Sequence, residues 1–201
     1  MPRVGVLSYQ GDFQRHSDVL TLLGHRVVSV RAPEHLEGLS GLVIPGGEST
    51  TIGMLMERFG LLEAVRAAAE DGMPVFGTCA GAILLARKIE NSDQPRLGLM
   101  DLTVTRNAYG RQVESFEAEL ELDAGEEPLL SDPQRPLTGV FIRAPIITGV
   151  GKDVRVLATF EKSPVLVSQG TFLAATFHPE LTGDTRVHKL FGEEATAYAD
   201  R

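Results

Sequence analysis

The only cysteine of the chain, Cys79, lies in a short motif whose residue types could support nucleophilic chemistry. Residues 77–81 read Gly-Thr-Cys-Ala-Gly and separate a predicted strand from a predicted helix. A nucleophile on such a tight turn needs small residues two positions before and after it. The turn would also place the sulfur at a helix N-terminus, where the helix dipole favours the thiolate. A lone cysteine is otherwise often a buried core residue, so the motif by itself leaves both interpretations open.

A thiol nucleophile needs a base, and His178 is the best placed of the five histidines. It follows the apolar run FLAATF, so we expect it at a strand end, where the sites of α/β proteins collect. Pro179 favours an extended backbone at His178, and residues two apart in an extended segment point to the same side. Glu180 is therefore expected to orient the imidazole. The remaining histidines are assigned to the surface: His16, His25, His35 and His188.

The segment IPGGESTT (44–51) ends another predicted strand and precedes a predicted helix. Its two glycines allow the backbone to expose N–H groups, and we expect Ser49 or Thr50 to cap the helix. The segment could bind phosphate, but it lacks the Gly-Lys-Ser/Thr of a nucleotide-binding loop.

Considered with Cys79 and His178, the glycine segment is better interpreted as an oxyanion-binding backbone. Gly47 and the amide of Ala80 are the predicted donors, and the neighbouring Gly46 is a further candidate. One cysteine and scattered histidines give no metal-ligand spacing, so neither a metal nor a cofactor is expected.

The positions of these motifs follow from an alternation of strands and helices in the first half of the chain. Strands are predicted at 3–8, 25–30, 41–47 and 73–78, and helices at 13–24, 51–72 with a break near Gly60, and 80–89. Residues 99–122 alternate apolar and polar side chains, which predicts antiparallel strands with NAYG as their turn. Later strands turn at SQGT, and a final amphipathic helix spans about 184–198.

This order predicts an α/β fold in one domain of residues 1–201. We expect an open three-layer sandwich of the flavodoxin-like type, with a mostly parallel central sheet and an antiparallel excursion.

Composition excludes several functional classes. The net charge of −8 lacks clustered Lys and Arg, which disfavours binding to nucleic acid or to an anionic membrane. A single cysteine forms no intramolecular disulfide, so the reducing cytoplasm is the expected compartment. No apolar run approaches the length of a membrane span.

The order of Pro-Gly-Gly, then Cys, then His-x-Glu resembles class I glutamine amidotransferases, which are triad glutaminases on an open α/β fold. Within that class, the chain is most similar to the glutaminase subunits of pyridoxal 5′-phosphate synthases. The resemblance rests on GVLSYQGDFQRH, PGGESTT, GTCAGAILLA, RNAYGRQVESFEAEL, GVFIRAP and FHPELTGD. The central stretch is the most specific, and Ile83 stands where the class typically has Gln.

The resemblance implies that Cys79 attacks the side-chain amide of L-glutamine, forms a γ-glutamyl thioester and releases ammonia. His178 would relay protons and Glu180 would orient it. Arginines suit a carboxylate and a glutamate suits an ammonium. Gln10 matches a residue near the active site of the family. The implied glutamine pocket consists of Gly47, Glu48, Ser49, Arg106, Ile142 and Arg143.

The resemblance also implies a partner, the barrel synthase subunit, in a large hetero-oligomer that serves vitamin B6 biosynthesis. Ammonia would pass internally to this subunit, which condenses it with a pentose phosphate and a triose phosphate. The loop 123–136 is longer than is usual in the family and is expected to be a surface insertion.

Two other readings stay open. One is a glutaminase that feeds a different synthase. The other is a non-catalytic α/β module in which Cys79 senses redox state or fills space.

Overall fold

A computed structural model of the chain describes residues 1–106, 115–123 and 129–201. The strands are β1 (Arg3–Leu7), β2 (Arg26–Val30), β3 (Gly41–Ile44), β4 (Val75–Thr78), β5 (Ala86–Ile89), β6 (Met100–Thr105), β7 (Ser115–Leu122), β8 (Leu137–Ile142), β9 (Ile146–Val150), β10 (Arg155–Phe160), β11 (Ser163–Gln169) and β12 (Phe172–Ala175). The helices are α1 (Phe13–Leu22), α2 (Ser49–Arg58), α3 (Leu61–Glu70), α4 (Ala80–Leu85) and α5 (Arg186–Ala199), with short 3₁₀ turns at Pro33–Leu36 and Pro179–Leu181.

The main sheet has a parallel half and an antiparallel half. Within the described ranges its strand order is β2-β1-β3-β4-β12-β11-β10-β7-β8. Strands β2 to β12 in that order pair in parallel, and the strands from β11 onward pair antiparallel to their neighbours. The predicted α/β architecture is therefore confirmed, and much of the antiparallel excursion continues the central sheet.

Helices cover both faces of the sheet and produce three layers. Leu20 of α1 and Phe191 of α5 are fully buried in one core. Met56 of α2 and Val65 of α3 belong to the core on the other face, which also contains α4. The predicted break between α2 and α3 is confirmed at Gly60, whose φ of 72° is in the left-handed region.

Two local predictions were wrong. The helix expected over 80–89 ends at Leu85, because residues 86–89 pair with β6 in a small sheet of order β5-β6-β9. This tertiary pairing overrides the helical propensity of Ala, Arg and Lys. Strands β6 and β7 both exist within 99–122, but β6 pairs with β9 whereas β7 pairs with β8 and β10. Their expected turn, NAYG, lies outside the described residues.

The predicted surface insertion is described from residue 129 onward. Most of its side chains are exposed or half-buried, but Leu130 is buried in the core of the α1 and α5 face. In the part of the chain that the structure describes, no helix is long and apolar enough to cross a membrane.

Candidate active site

The predicted site residues meet at the carboxyl edge of the sheet. Cys79 follows β4 directly, and His178 lies three residues beyond the end of β12. The Gly46–Gly47 pair follows β3, and Arg106 and Arg143 follow β6 and β8. Carboxyl ends of parallel strands are the usual place for ligands in open α/β sheets, and this arrangement brings together residues that are far apart in the sequence.

Cys79 occupies a strained turn of the kind that the motif predicts. Its φ is 49° and its ψ is −102°, a backbone conformation that is rare for a residue with a side chain. A Cβ atom on Gly77 would approach the carbonyl carbon of Gly81 to 2.5 Å, and one on Gly81 would approach the carbonyl oxygen of Ile44 to 2.0 Å. Both flanking glycines are therefore required by close backbone contacts.

His178 and Glu180 form the expected pair. Nδ1 of His178 lies 2.7 Å from Oε1 of Glu180, and both residues are buried. The reason given for this pairing was wrong, because Pro179–Leu181 is a 3₁₀ turn and not an extended segment. The short turn nevertheless brings the carboxylate of Glu180 back towards the imidazole two residues earlier.

The charges of this pair reinforce each other. Burial alone would lower the pKa of His178, but the hydrogen bonds and charges of Cys79 and Glu180 outweigh it and raise the pKa to about 10. Burial would raise the pKa of Glu180, but its contacts with His16 and His178 hold that pKa well below its ordinary value. At neutral pH the arrangement therefore holds an imidazolium between a carboxylate and the sulfur of Cys79.

A pocket of about 190 Å³ opens beside the sulfur. Its walls include Cys79, His178, Ile83 and all six residues that the resemblance assigns to glutamine. Sγ of Cys79 lies 3.8 Å from the carbonyl oxygen of Ile142, at the end of β8. The cysteine is thus buried and yet faces a cavity, which a residue that only fills the core would not do.

Glu48 and Arg106 face each other at this pocket, with 3.0 Å between Oε1 and Nη2. The Glu48 carboxylate also accepts hydrogen bonds from the backbone N–H groups of Thr50 and Thr51, at 3.2 and 2.8 Å. Burial opposes ionisation, but these donors and Arg106 together outweigh it and lower the pKa of Glu48. Glu48, and not Ser49 or Thr50, therefore caps α2, which corrects the expectation from the sequence.

The glycine segment lies against the candidate catalytic residues. A Cβ atom on Gly46 would come within 2.5 Å of Cε1 of His178 and 3.4 Å of Cβ of Cys79. Gly47 has a φ of 146°, a conformation that glycine adopts most readily. Gln10, after β1, accepts a hydrogen bond from the backbone N–H of Glu48 at 3.2 Å. Gln10 therefore holds the backbone of the segment that lines the pocket.

From the sequence, two buried histidines were placed on the surface and Gln94 was not identified as a residue of the site. His16 and His188 were assigned to the surface, but both are fully buried, and His16 contacts Glu180. His16 lies four residues before the buried Leu20 on α1, a spacing that indicates the buried face. Gln94 was also not predicted; its Oε1 accepts from Nη1 of Arg106 at 2.8 Å. His35 is exposed as expected, and His25 is half-buried.

Size alone does not identify the site. A larger open groove of about 780 Å³ lies at the opposite edge of the sheet, near the starts of β1, β3 and β4. Its described lining residues contain neither cysteine nor histidine. Among the residues with described positions there is also no group of three or more His, Cys, Asp or Glu side chains that could hold a metal ion.

Comparisons with known proteins identify the family of the chain. The model of the SNO glutamine amidotransferase family matches residues 6–197. Subunit PdxT of the pyridoxal 5′-phosphate synthase of Pelotomaculum thermopropionicum is 56% identical over 192 residues, which cover 96% of this chain and 94% of that protein.

Solved structures of glutamine amidotransferases have the same fold. A crystal structure of a glutamine amidotransferase superposes with a TM-score of 0.88 at 50% identity, covering 96% of this chain and 98% of its own. A glutamine amidotransferase from Thermotoga maritima has a TM-score of 0.62 at 15% identity, covering 98% of this chain and 83% of its own. The latter likeness is one of fold alone.

Proposed function

The chain belongs to the SNO glutamine amidotransferase family, and we propose that it is the glutaminase subunit of a pyridoxal 5′-phosphate synthase. One observation carries the proposed chemistry: Cys79, on a strained turn, lines the same pocket as His178, whose imidazole Glu180 holds. Curated relatives with the synthase name align over nearly their whole length. Residues 1–201 would act as a single glutaminase domain.

The first half of the proposed reaction transfers the glutamyl group to sulfur. The imidazolium of His178 stabilises the thiolate of Cys79, which attacks the side-chain amide carbon of L-glutamine. The oxyanion that forms would accept hydrogen bonds from the backbone N–H groups of Gly47 and Ala80. His178 then donates its proton to the leaving nitrogen, so ammonia departs and a γ-glutamyl thioester remains.

The second half of the reaction is hydrolysis of the thioester. His178, now neutral, takes a proton from a water molecule as that water attacks the carbonyl carbon. Collapse of the intermediate breaks the C–S bond and restores the thiolate and the imidazolium, and the new γ-carboxyl group gives its proton to solvent as L-glutamate leaves. Glu180 keeps the imidazole oriented and balances its charge through both halves.

The charged pair at the pocket suits the zwitterionic end of glutamine. We assign the α-carboxylate to Arg106 and Arg143 and the α-ammonium to Glu48. Arg106 and Glu48 pair with each other at 3.0 Å in the structure. Binding of a zwitterion would let each of them keep a partner of opposite charge, which limits the cost of removing both from water. Ser49 and Ile142 would line the remainder of the substrate.

The proposed partner is the barrel synthase subunit, joined to this chain in a large hetero-oligomer. Ammonia would pass to that subunit internally and not through solvent. We assign the complex to the cytoplasm, where the single cysteine, Cys79, stays reduced.

The proposal is tested by ammonia release from L-glutamine, measured for the chain alone and with the synthase subunit from the same source. Activity that rises with the synthase and vanishes in Cys79→Ala would support both the nucleophile and the partner. Full activity without the synthase would overturn its gating role. The absence of activity in a mixture whose two proteins are folded and associated would overturn the glutaminase assignment.

A further inference from the structure

Two buried histidines extend the catalytic pair into the core. His16 of α1 and His188 of α5 are both 0% exposed. Nε2 of His16 lies 3.3 Å from Oε2 of Glu180, and Nδ1 of His16 lies 2.9 Å from Nε2 of His188. Glu180 uses its other oxygen, Oε1, for His178. The carboxylate of Glu180 is thus held between two imidazoles, of which only His178 lies at the pocket.

The carboxylate decides which nitrogen of His16 carries a proton. The groups around this ring are Glu180 from the 3₁₀ turn, His188 from α5 and the hydroxyl of Thr78 from β4, whose Oγ1 is 3.2 Å from Nε2. A lone pair on Nε2 would face a buried negative oxygen at 3.3 Å and be repelled. The proton therefore lies on Nε2, where the hydroxyl of Thr78 can accept it and the Glu180 carboxylate lies 3.3 Å away.

His188 holds the ring of His16 from behind. Burial lowers the pKa of His188 to about 3, so this imidazole is neutral at physiological pH. A neutral imidazole can either donate or accept at Nε2, according to its tautomer. His188 can therefore pair with Nδ1 of His16 in either state and leave Nε2 directed at Glu180. The T-shaped packing of Phe76 against both rings fixes their planes.

We propose that His16 is a positioning residue of the glutaminase, whose Nε2–H edge faces Oε2 of Glu180 at 3.3 Å and by this electrostatic contact fixes the carboxylate that orients His178. The proposal rests on the proposed function for its effect on turnover. Oε2 of Glu180 is buried and has no hydrogen-bond partner among the residues that the structure describes, so the nearby Nε2 of His16 is its favourable polar contact. Without that contact, the carboxylate would turn to find another. Its alignment with His178 would then loosen, and with it the imidazolium that stabilises the thiolate.

Two amide substitutions separate the two nitrogens of His16. In His16→Gln the amide nitrogen reaches the position of Nε2 and keeps an N–H group facing Glu180. In His16→Asn the shorter amide reaches only the position of Nδ1, towards His188. The first readout is the rate of Cys79 alkylation by iodoacetamide as a function of pH, which is specific because Cys79 is the only thiol. The second is kcat and KM for L-glutamine with the synthase subunit present.

We expect His16→Asn to move the onset of alkylation upward by about one pH unit. Its kcat should fall about tenfold to a hundredfold with little change in KM, because substrate contacts are intact. His16→Gln should stay near the wild type in both. The matched control is His25→Gln, because His25 also lies against α5, beside Gly192, but has no contact with Glu180; it should match the wild type.

A folded His16→Asn variant with the wild-type alkylation profile would overturn the proposal. So would a His16→Gln variant whose alkylation profile shifts as far as that of His16→Asn. The imidazole of His16 would then act only by filling space in the core. If His16→Asn does not fold, a shifted His16→Gln profile still overturns the proposal and an unchanged one supports it. Loss of ammonia release in the wild type would refute the proposed function alone, because the alkylation profiles need neither glutamine nor the partner.

Discussion

Burial and nearby polar contacts act in opposite directions on the protonation of His178. Burial disfavours the imidazolium, whereas Glu180 at 2.7 Å and the cysteine sulfur favour it, and the favourable contacts prevail. The pKa of His178 rises from 6.5 to about 10, so the folded chain holds this proton more tightly than the unfolded chain does. Stability is therefore linked to the same proton that the proposed reaction uses.

This linkage predicts the pH dependence of stability. The contribution of His178 is fully present below about pH 6.5 and is lost as the pH rises through about 10. The free energy of unfolding should therefore fall over this window, by at most about 1.4 kcal/mol per pH unit from this group. In Glu180→Gln the slope should be shallower, because a carboxylate that favours the imidazolium is gone. Urea denaturation at several pH values measures it.

The control for this slope is His35→Gln, which changes an exposed histidine and should leave the slope as it is. Equal slopes in the wild type and Glu180→Gln would mean that Glu180 does not hold the proton on His178.

The proximity of the candidate catalytic residues was predictable from the sequence because their motifs are local. Gly77, Cys79 and Gly81 lie within five residues, and His178 lies two residues from Glu180. His16 was misassigned because its partners, Glu180 and His188, are more than 160 residues away in the chain. Spacing along one segment cannot reveal such a contact, although the position of His16 relative to Leu20 does indicate burial.

At the scale of elements, the turn between β4 and α4 sets the position of the sulfur. Helix α4 crosses over β3 so closely that Gly81 lies against the carbonyl of Ile44. Alanine is ordinarily the better helix former, by about 1 kcal/mol over glycine. A Cβ atom on Gly81 would lie 2.0 Å from the carbonyl oxygen of Ile44. This clash outweighs the preference, because the oxygen belongs to the backbone and cannot move aside as a flexible side chain would.

Gly81→Ala should therefore destabilise the chain by about 1–3 kcal/mol, the usual cost of overpacking. It should also abolish rapid alkylation of Cys79, since relief of the clash must shift the turn. Gly183→Ala is the matched control, because a Cβ atom there has nothing within 4 Å. Urea denaturation and iodoacetamide labelling measure the two effects, and equal stability of the two variants would contradict the packing argument.

The elements themselves were mostly predictable, and the exceptions share a cause. The strands of the parallel half and helices α1, α2, α3 and α5 follow their hydrophobic patterns. Residues 86–89 were expected to be helical and form β5 instead, since their conformation is set by pairing with β6. The partner of β6 could not be predicted either, because alternation predicts a strand and does not identify its neighbour.

At the scale of the whole molecule, the pocket depends on strands from both halves of the main sheet and from the small sheet. Arg106 follows β6 of the small sheet, and Ile142 ends β8 at the antiparallel edge. Family resemblance indicated these two residues, whereas patterning could not, since it does not specify how distant strand ends converge. The position of β8 relative to Cys79 must therefore be fixed by contacts elsewhere in the fold.

Arg186, at the start of α5, is one such contact. It is 6% exposed, and its guanidinium donates to the carbonyl oxygens of Asp132, Arg135 and Pro136 at 2.8–3.0 Å. It also pairs with the Asp184 carboxylate at 2.7 Å. These carbonyls directly precede β8, so one side chain joins the C-terminal helix to the strand whose end lines the pocket.

Arg186→Lys should lower the free energy of unfolding by about 1–3 kcal/mol, because an ammonium cannot reproduce the planar fork with which the buried guanidinium reaches three carbonyls and Asp184. It should also raise KM for L-glutamine, because β8, whose end lines the pocket, loses its contact with α5. The contacts that position Cys79 and His178 are unchanged. Lys189→Gln on the same helix is the control: its pair with Glu193 spans 3.9 Å on the surface and should contribute little. Urea denaturation and steady-state kinetics measure both effects. An Arg186→Lys variant as stable as Lys189→Gln would show that packing of α5 alone positions β8.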